Sequence, residues 1–335
     1  EQRKLYKRDL WTFKKGQQEA LWAKLHFATK TSDSKRFWKI INTIDNGAKA
    51  GNNANITEEV WVSHLKSHLK ELTIEEGPQM QSHTIGGDPN TPEPLKFTAP
   101  ELLKIIGKSR MDCAPGPNGL PQALFKQDTE RWANFLAAMF NDVITTGIVP
   151  ASWKGSIIHP IYKGGSALSS SNYRLIALLD VDLKYFSCCV LKHLEAWITE
   201  NNILPFNQTG FTKHQGTLTN LMGLGLIINR AKAKGTPTYL CFVDFKAAFD
   251  CVSRGKMWAK LLHWGLPHSI LNAIKMIYSD TWVKVKLGEG SHLSRAVKTT
   301  VGVKQGCVLA PTLFNLYIAD LPVKLNGHSS HSPSL

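Results

Sequence analysis

The residues best suited to chemistry in this 335-residue chain sit in two short strings. The first is Phe242-Val243-Asp244-Phe245-Lys246-Ala247-Ala248-Phe249-Asp250. An aspartate at the end of an apolar run projects a carboxylate from a rigid support, and a carboxylate is a hard oxygen ligand suited to Mg²⁺. The same position also suits an N-cap or turn residue. The second string is Gly302-Val303-Lys304-Gln305-Gly306-Cys307, leading into the apolar Val308 to Ile318. An amide and a glycine ahead of a buried helix can be held against a ligand, with the glycine allowing close backbone approach. An ordinary glycine turn before a core helix would look the same. His64 and His68 are four apart on a predicted helix, but Leu65 stands where a zinc protease needs glutamate, and Lys66 and Lys70 suggest a solvated face. The six cysteines form no Cys-x-x-Cys and no Cys/His quartet, so neither a zinc site nor a disulfide framework is indicated and a reducing compartment fits best.

These strings need strands and helices to hold them. Tyr239 to Asp244 reads as an apolar strand, followed by a helix from about Ser253 to Trp264. Upstream, Ser156 to Tyr162 reads as a strand ending in Lys163-Gly164-Gly165. Trp282 to Leu287 alternates, and Gly288-Glu289-Gly290 turns it back into a second strand through Ala296-Val297. Helices are expected around Thr57 to Leu72, from Pro100 and over Gln122 to Thr145, with a rigid Ala114-Pro115-Gly116-Pro117-Asn118-Gly119 loop between the last two. Strands alternating with helices predict a mixed α/β body.

Composition agrees: 43% hydrophobic and 20% charged residues build a core and exclude wholesale disorder. No run approaches the roughly 18 to 20 apolar residues of a membrane span, so a soluble protein with no membrane partner is expected. The net charge of +14 is uneven: +7 over residues 1–50, −4 over 51–100 and +11 beyond. In the first block basic residues interleave with Trp11, Phe13, Trp22, Phe27, Phe37 and Trp38. That pattern suits phosphates with unpaired bases, or equally a surface helix that buries its aromatics. The expected organisation is a basic helical extension over 1–50, a linker region with one helix over 51–95, and the main body over 96–335. The start at Glu1, with no signal-like segment, gives the chain the look of part of a longer protein.

Taken in order, the strings and the Pro-Gly loop, with Trp153, Asn172-Tyr173-Arg174 and Gln208-Thr209-Gly210-Phe211, resemble the reverse transcriptases of non-LTR (LINE-type) retrotransposons from about residue 95 onward. The resemblance implies an α+β fold of right-hand polymerase-like fingers and a partial palm, built on a mixed or antiparallel sheet with helices. It also implies Mg²⁺, an RNA template, a DNA primer, dNTPs and an intracellular location, nucleus or cytoplasm. By the same resemblance Asp244 is similar to the first catalytic, metal-binding aspartate, and Phe249 to the aromatic gate beneath the sugar. Gln305 and Gly306 match the loop packed on nucleotide and template. Lys163 and Arg174 are triphosphate candidates, and Lys213 and Lys304 nucleic-acid-binding candidates. Lys246 and Asp250 belong to the motif, with a structural reading for both, Asp250 as a helix cap.

The chain departs from the family at Leu175, where proline is usual, at Thr212, where arginine is usual, and at Asn118, where aspartate is usual. The family's aromatic-x-Asp-Asp element is expected a few tens of residues after Gln305-Gly306. Residues through Leu335 contain no adjacent aspartate pair, and Asp320 reads as a helix-end residue. A two-metal site needs carboxylates bracketing both ions, so the expectation is a fingers and partial-palm fragment that does not polymerise by itself. The alternative is a non-catalytic, basic nucleic-acid-binding remnant of such an element.

Overall fold

A computed structural model describes residues 56–69, 95–111, 113–213, 215–288, 292–322 and 325. The basic extension over 1–50, the 77–94 linker and the polar tail after 326 lie outside these residues. The elements are α1 (Glu58–Leu69), α2 (Ala99–Lys108), α3 (Gln122–Gln127), α4 (Thr129–Thr146), β1 (Gly155–Tyr162), β2 (Tyr173–Leu178) and α5 (Val181–Glu200). There follow α6 (Thr217–Lys234), α7 (Arg254–His263), α8 (His268–Tyr278), β3 (Trp282–Val285), β4 (Val297–Lys298) and α9 (Ala310–Ile318).

The sheet runs β2-β1-β3-β4, with β1 antiparallel to β2, parallel to β3, and β3 antiparallel to β4. The mixed α+β class expected from the sequence is the one observed. The stretch read as one helix over Gln122 to Thr145 is two, because Asp128 breaks it: its carboxylate accepts the Arg131 backbone N–H and caps α4. Helix α1 is part of the body, with Trp61 and Leu65 fully buried and the Trp61 ring 5.4 Å from that of Tyr173. Phe97, Phe140, Trp153 and Phe186 form an aromatic core. Asn141 locks the entry to α2 by exchanging two 2.8 Å hydrogen bonds with the Phe97 backbone.

One expected strand does not form. Residues 239–244 join no ladder, and Tyr239, Phe242 and Val243 are 92%, 83% and 76% exposed. An apolar period specifies a strand only when neighbouring strands take its backbone groups and side chains. Among the described residues no strand lies beside this stretch. Helix α6 is likewise without a buried residue, and leaves Leu218, Leu221, Met222 and Leu226 exposed.

The Pro-Gly loop is seated on the start of α5. The Asn118 backbone N–H donates to Asp180 Oδ1 at 2.9 Å, and its side-chain amide donates to Asp182 Oδ1 at 3.3 Å. The other Asp182 oxygen accepts from Trp153 Nε1 at 2.9 Å. Asparagine therefore works here as a donor between two acids, which explains its departure from the usual aspartate. Asn118→Asp replaces that donor with a third carboxylate, and a loss of about 1–3 kcal/mol is expected in urea unfolding at neutral pH. Asn118→Ala, which keeps the backbone donor, is expected to lose less.

Candidate nucleotide and template site

The β1–β2 hairpin supplies the two candidate cations. Lys163 follows β1, its N–H bonded to Asn172 O at 2.8 Å, and Arg174 pairs across the hairpin with Ile161. Both side chains are exposed. At the free edge of β2 the Gln305 carbonyl accepts the Ala177 N–H at 2.7 Å. Gly306 has φ 121°, and a Cβ there would collide with Ala177 O, so glycine alone lets this loop seat on the strand.

The two sequence strings meet at this loop. Gln305 Nε2 donates to both Asp250 oxygens, at 3.1 and 3.0 Å. Backbone bonds from Gly302 N to Val252 O and from Val303 N to Phe249 O, both 2.8 Å, zip the segments together. The helix-cap reading of Asp250 is thereby corrected: Ser253 caps α7, and Asp250 is taken by Gln305 because the turn at Ala247, φ 52°, rotates the chain before the helix begins. Burial raises the Asp250 pKa, opposed by the Gln305 hydrogen bond and by His68 and Lys163. His64, four residues before His68, is held down to about 4 by burial and by the neighbouring His68 and Lys163 charges.

Phe249 packs its ring 5.2 Å from Phe314 of α9 and 6.1 Å from Phe211. The Gln208 to Phe211 segment is fixed to α9 through Asn315, whose side chain accepts from Gln208 Nε2 at 3.0 Å and donates to Gly210 O at 2.7 Å. Asp244 is exposed at the end of the unpaired 239–244 stretch, next to Phe245, whose ring centroid is 6.2 Å from that of Phe314. The geometry thus gathers Phe249, Gln305 and Gly306, with Lys163 within electrostatic reach through Asp250.

Two expected nucleic-acid contacts lie elsewhere. Lys213 is exposed and 3.8 Å from Glu195 of α5. Lys304 is not on a surface: it is buried, donates to Trp153 O at 3.1 Å, and has its pKa lowered to about 8 by burial. Its long apolar stem carries the ammonium into the scaffold behind the loop.

Sequence reasoning missed Arg254, whose buried guanidinium donates to Gly302 O, Tyr278 O, Thr299 O and Val301 O and to the Thr281 and Thr299 hydroxyls, at 2.9–3.3 Å. Nothing in Ser253-Arg254-Gly255-Lys256 distinguishes it from a surface cation of a helix start. With Asp250, Lys304 and Gln305 it lines a cavity of about 40 Å³ beneath the loop.

Residues 161–332 match the family described as "Reverse transcriptase (RNA-dependent DNA polymerase)", and the chain belongs to that family. Its relatives specify the kind. It is 27% identical over 237 residues to the probable RNA-directed DNA polymerase from transposon BS of Drosophila melanogaster, covering 68% of this chain and 26% of that protein. Identity is 29% over 230 residues with the retrovirus-related Pol polyprotein from type-1 retrotransposable element R2 of Popillia japonica, covering 68% and 31%. It is 26% over 282 residues with the probable RNA-directed DNA polymerase from transposon X-element of Drosophila melanogaster, covering 81% and 30%. These similarities support a reverse transcriptase domain of the non-LTR, LINE type. The chain spans about a quarter to a third of the length of these relatives.

Arg254→Ala leaves several carbonyls without a donor, and a loss of at least about 3 kcal/mol is expected in urea unfolding, with Arg254→Lys recovering part of it. The Asp250 shift gives a pH signature. Its folded pKa lies above the unfolded 3.8, so the native state holds more protons between the two values. The contribution of this group to stability therefore falls as pH rises through that window. Asp250→Asn is expected to gain stability relative to wild type between pH 3 and pH 7, read from urea midpoints.

Proposed function

We propose that this chain forms the fingers and first part of the palm of an RNA-directed DNA polymerase of a non-LTR retrotransposon, acting on an RNA template, a DNA primer and dNTPs. The observation that carries this reading is the Asp250–Gln305–Ala177 link, which joins the aspartate string, the Gln-Gly string and the fingers hairpin at one place. In this reading Gln305 and Gly306 form the rigid wall against nucleotide and template. Phe249, held by Phe314, lies beneath the sugar and disfavours a ribose 2′-hydroxyl. Lys163 and Arg174 meet the triphosphate, where cations are needed as charge builds up. Lys213 stays a nucleic-acid contact, and Lys304 acts through the scaffold it supports.

Asp244 is a hard, exposed carboxylate, the donor type Mg²⁺ takes alongside water and substrate phosphates. Asp244 would hold a Mg²⁺ ion, which would supply activation of the primer hydroxyl and neutralisation of the triphosphate. A two-metal site needs further carboxylates. Among the described residues no group of three or more His, Cys, Asp or Glu comes together.

The non-catalytic reading draws on the exposure of the 239–244 stretch, and primer extension separates the two. With an RNA template, primer, dNTPs and Mg²⁺, the 335 residues alone are expected to give no extension above background. The same chain joined after Leu335 to a segment bearing aromatic-x-Asp-Asp is expected to extend, and to lose that activity with Asp244→Ala. An extended chain that remains inactive favours the remnant; activity that survives Asp244→Ala removes Asp244 from the chemistry.

A further inference from the structure

The sheet face turned away from the core carries cations around one tryptophan. Along β3 burial alternates, so Val283 and Val285 face the core and Trp282 and Lys284 face outward, half-buried. Strand register fixes their neighbours. Trp282 lies between Gly155 of β1 and the exposed Lys298 of β4, and Lys284 lies beside Ile157, itself opposite Leu178 of β2. A Cβ at Gly155 would run into the Trp282 indole, so the ring lies across bare backbone of the neighbouring strand. Lys284 Nζ is 5.4 Å from the ring centroid.

The four strands contain no aspartate or glutamate. Among the described residues Asp280 borders the face, 3.8 Å from Lys154 and 3.4 Å from Lys298, so there one carboxylate is set against two lysines, with Lys284 on the same face. These cations are a net positive field around a flat aromatic surface, and that combination fits phosphates with bases free to stack. A four-stranded sheet bearing an outward-facing aromatic is a known way to take unpaired bases, whereas paired bases have no free face to offer.

We infer that this face is a docking platform for an unpaired nucleic-acid strand, a base stacking on Trp282 and phosphates meeting Lys154, Lys284 and Lys298. The platform extends the proposed polymerase reading but is separate from Asp244, and its binding is measured with no nucleotide or metal present. A chain that fails to extend primers can therefore still carry it.

The test is fluorescence anisotropy of the full chain with a labelled 15-nucleotide RNA, the matching single-stranded DNA, and the duplex, over a salt series. Binding of either single strand more tightly than the duplex is expected. The triple variant Lys154→Ala/Lys284→Ala/Lys298→Ala is expected to lower the slope of log K against log salt by about 2, at about 0.7 per phosphate contact on a single strand. Trp282→Ala is expected to weaken binding about tenfold with the slope unchanged, and Trp282→Phe to recover much of it. Wild-type affinity and slope in both alanine variants, or a preference for duplex, overturns the inference. Should circular dichroism show a variant misfolded, 4-thiouridine crosslinking of the wild-type chain decides: adducts within 282–298 support the platform, and adducts confined to other peptides overturn it.

Discussion

A guanidinium removed from water is costly unless its donors find acceptors, and Arg254 finds them in backbone carbonyls of three separate segments. Those segments are the end of α8, the strand exit at Thr299 and the 301–302 turn that leads to Gln305. Held from behind by this one side chain, the turn presents its outer edge to Phe249 and Val252 and its amide to Asp250. Lys304 points the other way, into the scaffold of Trp153, Asp182 and the Pro-Gly loop. The site is rigid because successive residues of one loop are fastened on opposite sides.

The same reasoning explains the region that is not fastened. Asp244 stands on a stretch whose apolar side chains meet solvent, beside a helix with no buried face. Cohesion here comes from aromatics: Phe245 and Phe249 both rest on Phe314, which belongs to the helix following the Gln-Gly turn. Phe249 is thus more firmly packed than Asp244, five residues before it. An exposed apolar segment of this kind also invites pairing or aggregation.

Much of the fold was legible in the sequence. The β1 and β3–β4 strands, the Ser253 start of α7 and the rigid Pro-Gly loop follow from period, turn residues and caps, which are local properties. The break at Asp128 was missed because an aspartate can cap a second helix as well as sit within one. The strand at 239–244 failed because periodicity reports what a segment can bury, and not whether a neighbour is there to bury it.

For the site, the order of the motifs, through the family resemblance it carries, singled out Asp244, Phe249, Gln305 and Gly306, since motif spacing is written along the chain. Tertiary structure decided which of them touch: Asp250 became the partner of Gln305, Lys304 an interior cation, and Arg254 the clamp behind the loop. Hydrogen bonds spanning 48 or 55 residues depend on how the chain returns on itself. Glycine at 155 acquired meaning only once β1 lay beside β3 and the Trp282 ring came to rest on it.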